Sequence, residues 1–325
     1  MKAAVVTAAG KTPVYSDFAT AIAAAGEELI SVRASALSPL SKALASGAHY
    51  SSGGVFPSVA GVDGVGVTQD GRRVYFALPD APFVALAEFC PVSSRQCVPL
   101  PDALDDITAA AIANLGMSAW AALVERARLV AGETVLVNGA TGTAGRLAVQ
   151  LAKHLGAGKV IATGRGAEEL EEVKKLGADI VVPFTLGRQH ASGAKDYENA
   201  LKQAFASGID VVIDYLWGES AKTVIVAIAK AAEEAIPVRF VHVGQASREE
   251  NIDLPGAALR SSAILLMGSG LKSVRLSVLL QAIKNVFDVV QPAGLKIATK
   301  VVPLSDVEEV WDKAAGKPRV VFSIG

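Results

Sequence analysis

Residues 138–156 (NGATGTAGRLAVQLAKHLG) constrain the chain most, because an apolar strand runs into three glycines and those glycines open an amphipathic helix. Residues 134–137 (TVLV) read as a fully buried parallel strand. Leu147, Ala148, Leu151, Ala152 and Leu155 then recur at helical spacing until Gly156 stops the helix. Gly139, Gly142 and Gly145 fall three residues apart at the turn, where a side chain would keep a pyrophosphate from the backbone N–H groups and the positive end of the helix dipole. Thr141, Gly142, Thr143, Ala144 and Gly145 are therefore the candidate cradle of a dinucleotide. An ordinary strand-to-helix turn can carry the same triplet, so the next unit matters. There, 159–163 (KVIAT) is a second apolar strand, and Gly164 and Arg165 follow it, 19 and 20 residues beyond Gly145. A ribose without a 2′-phosphate wants an acidic acceptor at this place, whereas a 2′-phosphate wants space and a cation. Glycine followed by arginine points to NADP(H) rather than NAD(H), although taken alone Arg165 also suits a solvated loop.

At 325 residues the chain has room for two domains. Basic and acidic residues nearly cancel, 31 against 32, and no run of like charge suggests a nucleic-acid or membrane partner. No apolar run is expected to reach the length a bilayer needs, and the opening MKAAVV lacks the apolar core and cleavage site of a secretory signal, so a cytoplasmic protein is expected. Cys90 and Cys97 fit no zinc-ligand spacing and suit a reducing compartment. His49, His154, His190 and His242 are scattered, a pattern more often structural than ligating.

Up to about residue 115 the texture is short β runs punctuated by Gly and Pro, at 3–6, 28–34, 58–67, 73–77 and 87–92, which suits a compact β-rich barrel. From about 134, strands at 134–137, 159–163, 179–182, 209–214, 238–243 and 263–267 alternate with helical patterns, predicting a doubly wound parallel sheet. The tail is expected to form a helix at 274–290 and strands around 298–302 and 320–322 that pack back on the first domain.

This order of parts resembles the medium-chain dehydrogenase/reductase superfamily, and within it the zinc-free quinone oxidoreductase branch. The resemblance rests on ALSPLSKALASG (36–47), PSVAGVDGVG (57–66), IANLGMSAWAAL (112–123), GETVLVNGATGTAG (132–145), LGAD (176–179), GIDVVID (208–214) and VHVGQAS (241–247). It implies an α/β fold: a GroES-like β-barrel domain from residues 1–115 and 271–325, with a Rossmann-type doubly wound parallel-sheet domain, 116–270, inserted between. It also implies a homodimer. Where zinc alcohol dehydrogenases of the superfamily carry metal ligands, this chain has Ser38, Val62 and Asn114, so no metal is expected. Without a Lewis acid, alcohol oxidation is disfavoured, and the acceptor should delocalise its own charge, as a quinone or α,β-unsaturated carbonyl does. The chain departs from the branch at 81–90 (APFVALAEFC), which lacks glycine and has Phe89 for tyrosine, and in a long polar loop at 187–197.

In a hydride-transfer enzyme the cofactor supplies most of the chemistry and the protein supplies placement. Gly244 and Gln245 after the fifth strand, and Gly268, Ser269 and Gly270 after the sixth, are candidate neighbours of the nicotinamide, unless these are ordinary turns. Tyr215 ends the fourth strand at the carboxyl edge, where ligands bind in such folds. Asn114 is assigned an orienting role. His49 and Tyr50 fall near the place where the branch carries a cleft tyrosine and are candidate donors to a substrate oxygen, or else a surface pair. Asp63, between glycines, reads as a cap for backbone N–H groups rather than a base. The leading function is an NADPH-dependent reductase of a small electrophilic quinone or activated alkene. The alternatives are an enoyl-thioester reductase, with Lys42, Arg72 and Arg73 as loose candidates for its phosphate entrance, and a low-turnover NADPH-binding sensor or partner-binding protein.

Overall fold

A computed structural model describes residues 1–47, 54–187, 189–314 and 317–325. Strands β1 (Lys2–Val6), β2 (Val14–Asp17) and β3 (Glu27–Ala36) precede helix α1 (Pro39–Ala45). Strands β4 (Ser58–Val59), β5 (Asp63–Val67), β6 (Arg73–Ala77), β7 (Phe89–Ser93) and β8 (Cys97–Pro99) follow it. Helix α2 (Asp106–Trp120), continued by the π-helical turn Ala121–Arg126, leads into the alternating part. That part runs β9 (Thr134–Asn138), α3 (Thr143–His154), β10 (Lys159–Gly164), α4 (Ala167–Lys175), β11 (Ile180–Pro183), α5 (Gly193–Ala204), β12 (Val211–Asp214), α6 (Gly218–Ala231), β13 (Val238–His242), α7 (Gly256–Arg260) and β14 (Ile264–Gly268). Helix α8 (Leu276–Val289), strand β15 (Thr299–Pro303), helix α9 (Val307–Val310) and strand β16 (Arg319–Ser323) come last. The chain divides into two compact units, Met1–Asn114 with Leu280–Gly325, and Leu115–Leu279.

The first unit holds two sheets, ordered β2-β1-β4 and β15-β16-β3-β5-β6-β8, with β7 also paired to β3. The tail strands belong here because β16 pairs antiparallel with β3, Val321 opposite Ala36. Residues 58–67 form two strands rather than the one expected. Gly61 between them has φ +109, and a Cβ there would lie 3.0 Å from the Leu86 nitrogen. Gly66 within β5 is required for a different reason: a Cβ would come within 2.3 Å of the Ser31 carbonyl oxygen on the neighbouring strand. Asp63 is no backbone cap in a loop. It opens β5, is 2% exposed, and accepts a 2.7 Å hydrogen bond from the Tyr75 hydroxyl. Burial pushes its carboxyl up to about 6, against the opposing effects of Tyr75 and of Arg319, itself buried.

The expectation that no apolar stretch reaches bilayer length fails at Asp106–Arg126, one helix long and apolar enough by length and composition. Residues 107–124 carry no charge. Sixty-one per cent of the relevant window is buried inside the protein, as for a core helix, and Ala109–Ala113 are each at most 1% exposed.

The second unit is a six-stranded sheet, ordered β11-β10-β9-β12-β13-β14, with every pairing parallel. Its central strands read as continuous apolar runs because helices cover both faces, and Val135, Leu136 and Val137 are fully buried. The strand order reverses between β9 and β12, which opens a crevice at their carboxyl ends. The polar stretch 187–197 is not loop throughout, since α5 begins at Gly193. Lys195 and Lys202, one turn either side on α5, and Lys230 from α6 surround the nearly buried Glu198 carboxylate at 3.4, 3.2 and 2.9 Å.

Although partial burial opposes it, this triple pairing draws the Glu198 carboxyl down to about 2 from an ordinary 4.5. A depressed carboxyl contributes stability that is present above pH 4.5 and lost as pH falls toward 2. Glu198→Gln should therefore lower unfolding free energy by about 1–3 kcal/mol at pH 7, and the gap to wild type should narrow by roughly half or more at pH 3. Urea titrations at both pH values check this. A gap independent of pH would show that the cost is one of packing.

Candidate functional site

The glycine-rich turn stands on β9, whose buried strand ends at Asn138 and hands the chain to Gly139 at φ +88. Helix α3 starts from Gly142, an N-cap residue that offers no side chain. Its first turn holds no acidic residue, and Lys153 and His154 occupy its last turn. Among the described residues, the positive end of this helix thus has no N-cap side-chain bond and no carboxylate in its first turn. Helix α6 is the opposite case. The Asp214 carboxylate accepts from the backbone nitrogens of Leu216 and Trp217 at 3.1 Å, and Glu249 accepts from the Glu219 nitrogen at 3.2 Å. Helix α4 carries Glu168 and Glu169 in its own first turn. Of these three helix starts at the carboxyl edge, α3 is the one prepared for an anion.

Sterics explain the glycines one by one. A Cβ at Gly145 would lie 2.4 Å from the Gly139 carbonyl oxygen and 2.6 Å from Ala140 Cα, so only glycine lets α3 sit so close to the turn. At Gly142 a Cβ would make only an ordinary contact, 3.5 Å from the Gly139 carbonyl oxygen. Gly164 has a reason beyond room for a phosphate: a Cβ there would come within 2.4 Å of Thr141 Cγ2. Arg165 beside it is exposed.

Beneath the turn lies a network that the motif does not reveal. The Asn138 side-chain oxygen accepts from the hydroxyls of Thr163 (2.7 Å), Ser220 (3.0 Å) and Tyr197 (3.1 Å), and its nitrogen donates to Asp214 at 2.8 Å. Asn138, Thr163 and Asp214 are fully buried. Asp214 also meets His242 Nδ1 at 3.0 Å, and the His242 ring lies on Trp217 with centroids 4.4 Å apart. The buried carboxylate thereby ties the loops after β12 and β13 to the glycine-rich turn.

The remaining expected cofactor residues gather along the same sheet edge. Tyr215 follows β12 and is 8% exposed; burial pushes its hydroxyl pKa up, and its oxygen has no hydrogen-bond partner among the described residues. Gly244 follows β13, and Gln245 closes its own loop by donating to the Glu249 carbonyl at 2.8 Å. Gly268 ends β14 and accepts from Arg126 Nε, the Ser269 nitrogen donates to His242, and the Gly270 nitrogen donates to Ser273 Oγ. A Cβ at Gly268 or Gly270 would meet nothing within 4 Å, so neither glycine is forced by the chain itself.

In the first unit, Asn114 lies half-buried on α2, and His49 and Tyr50 fall outside the described residues. The three positions expected from the resemblance to replace zinc ligands do not suit the metal. The buried Ser38 hydroxyl caps α1, accepting from the Ser41 nitrogen at 3.0 Å; Val62 is a buried aliphatic; Asn114 is a neutral amide. Cys90 and Cys97 are free thiols, and burial pushes Cys97 up to about 11 and Cys90 higher. Both are therefore protonated and inert at neutral pH.

A glycine cradle under an uncapped helix at the switch point of a six-stranded parallel sheet defines a dinucleotide-binding protein. Comparison with known proteins agrees. The family model for zinc-binding dehydrogenases matches residues 144–284. A protein of Emericella nidulans named as a probable NADPH-dependent quinone reductase is 27% identical over 300 residues, covering 80% of this chain and 81% of that one. The chloroplastic NADPH-dependent alkenal/one oxidoreductase of Arabidopsis thaliana is 33% identical over 174 residues, and the match spans 48% of this chain and 45% of that relative. The fold is that of the quinone oxidoreductase of Thermus thermophilus, whose complex with NADPH is also solved, with a TM-score of 0.81 at 24% identity over the whole of both chains. In sequence and fold the chain is similar to zinc-free, quinone oxidoreductase-like members of the medium-chain dehydrogenase/reductase superfamily.

Proposed function

We propose that the protein is an NADPH-dependent oxidoreductase that reduces a small quinone or electron-poor alkene without zinc. The observation that carries this reading is the N-terminus of α3, uncapped among the described residues, over a turn that requires glycine at Gly139 and Gly145, with Gly164 and Arg165 beside it. Thr141, Gly142, Thr143, Ala144 and the glycines Gly139 and Gly145 would hold the pyrophosphate, and Gly164 and Arg165 the 2′-phosphate. Tyr215, Gly244, Gln245, Gly268, Ser269 and Gly270 would flank the nicotinamide end. Bound NADPH supplies the hydride. Tyr50, His49 and Asn114 are proposed as donors to the acceptor oxygen, and the first unit as the substrate domain. An acceptor that spreads incoming charge onto its own oxygen needs only such modest donors, whereas an alcohol would need the Lewis acid that Ser38, Val62 and Asn114 do not provide.

An acceptor screen under NADPH tests the reading. Oxidation of NADPH by 1,4-quinones and enones, undiminished by a chelator, is expected. Preference for enoyl thioesters would move the substrate to that class, and absence of turnover with any acceptor would leave a cofactor-binding sensor. Ethanol-dependent NADP⁺ reduction faster than the quinone rate would overturn the chemistry.

We also propose a homodimer, in a reducing compartment such as the cytoplasm, which suits two free thiols. Strand β14 is an edge of the parallel sheet, and its Leu265 and Leu266 are 49% and 43% exposed on opposite faces. Pairing of this edge across a two-fold axis would satisfy its open backbone groups and cover both leucines. Sedimentation should give twice the chain mass for the wild type and a single chain for Leu265→Lys combined with Leu266→Lys. A wild-type monomer at micromolar concentration would refute the dimer.

A further inference from the structure

Helix α3 opens with an arginine that the pyrophosphate cradle does not require. Arg146 follows Gly145 in the first turn, is half-buried, and donates from Nε to the Thr141 carbonyl at 3.2 Å. Thr141 is the residue whose methyl group lies against Gly164, close enough that a Cβ there would be 2.4 Å from Cγ2. One residue therefore separates the Arg146 side chain from the end of β10, where Arg165 begins its loop. The Glu172 carboxyl is held below its ordinary range first by its hydrogen bond to Lys175, and the charge of Arg146 adds to that effect.

The charges around this point are uneven. Lys174 and Lys175 are bonded to Glu171 and Glu172. Glu168 and Glu169, exposed in the first turn of α4, have no such partner among the ion pairs of the described residues, and neither Arg146 nor Arg165 forms one. Arg165 precedes Glu168 and Glu169 by three and four positions, so on its own it would leave this stretch with one cation to two carboxylates, a poor setting for a further anion of nearly two charges. Arg146 brings the cations level with those carboxylates. Its guanidinium has five N–H donors in a planar fork, of which Thr141 takes one, and the fork matches phosphate geometry.

We propose that Arg146 is a second cation for the cofactor 2′-phosphate, acting with Arg165 to set the choice of NADPH over NADH. This rests on the reading that the α3 turn holds the dinucleotide. The test is calorimetric titration of wild type, Arg146→Ala, Arg146→Lys, Arg165→Ala and the double Ala variant with four ligands: NADPH, NADH, adenosine 2′,5′-bisphosphate and 5′-AMP. The last two differ only in the 2′-phosphate and report on it independently of turnover. Arg146→Ala should weaken NADPH and the bisphosphate about tenfold while NADH and 5′-AMP change by about twofold or less; Arg146→Lys should retain part of the preference, and the double variant should lose more than either single one. Equal weakening of all four ligands by Arg146→Ala would mean that the arginine only supports the turn through Thr141, and an unchanged preference would mean that it takes no part; either overturns the inference. If wild type itself does not prefer the 2′-phosphorylated ligands, the NADPH reading falls as well, a result distinct from failure at Arg146 alone.

Discussion

Gly145→Ala is expected to weaken NADPH binding by about 100-fold or more, roughly 2.7 kcal/mol, in a protein that still folds. The added carbon would lie 2.4 Å from the Gly139 carbonyl oxygen, 2.6 Å from Ala140 Cα and 3.0 Å from the Ala140 carbonyl carbon. All three are backbone atoms, so no rotamer change relieves the clash. Ordinary carbon contacts begin near 3.5 Å, so the first turn of α3 must lift by about 1 Å, and a close-packed interior resists such shifts at a cost of about 1–3 kcal/mol. The lift carries the open helix end away from the place where the pyrophosphate would sit, and the geometry of charge-assisted N–H bonds does not survive that displacement. Gly142→Ala is the control: its Cβ would approach only the Gly139 carbonyl oxygen, at 3.5 Å, and its φ of −71° suits alanine. It should fold with a melting temperature near that of wild type, separating loss of fold from loss of ligand. NADPH affinity within about threefold of wild type in Gly145→Ala would show that the turn is not the cradle.

What can be read from the sequence is what local sterics and periodicity decide. The strands at 134–137 and 159–163 end within a residue of β9 and β10, because a strand buried on both faces must be apolar throughout and a glycine turn must end it. Strand β2 gives no such signal, because Val14–Asp17 (VYSD) is polar and largely solvent-facing; it is a strand only through its pairing with β1, Val14 opposite Val5. The site divides in the same way. Gly139 and Gly145 announce themselves, since the need for glycine arises within a few residues. Asn138 stands in plain view before Gly139, yet Thr163, Tyr197, Asp214 and Ser220 reach it from four separate segments. A buried asparagine ending an otherwise apolar strand is the available signal, and it names no partner. Asp63 misleads as a loop cap for the same reason: it is buried in a strand, and its partner Tyr75 and the opposing charge of Arg319 lie 12 and 256 positions away.

Asn138 is accordingly the position where a small change should do most harm to the fold of the second unit. Asn138→Ala leaves the Thr163, Ser220 and Tyr197 hydroxyls without their shared acceptor and Asp214 without its 2.8 Å donor. Buried polar groups stripped of a partner cost about 1–3 kcal/mol each, and with some relaxation the variant should lose about 3–5 kcal/mol. Asn138→Asp sharpens the test. It keeps an oxygen for the three hydroxyls but sets a second carboxyl oxygen against Asp214, both fully buried. Two carboxylates at hydrogen-bond distance without water raise the pKa of the pair, so a shared proton must take the place of the lost N–H. A carboxyl raised in the folded state stabilises most below its unfolded pKa, and that stability is lost as pH rises through the folded value. Asn138→Asp should therefore approach wild type in urea titrations at pH 5 and fall well below it at pH 8, whereas the deficit of Asn138→Ala relative to wild type should stay nearly constant. NADPH affinity should follow the same pH pattern in Asn138→Asp, because Asp214 also holds the Leu216 and Trp217 nitrogens and the His242 ring at the edge where the proposed cofactor residues gather. A deficit for Asn138→Asp that does not move with pH would mean that the side chain at 138 does not face Asp214 in the folded protein.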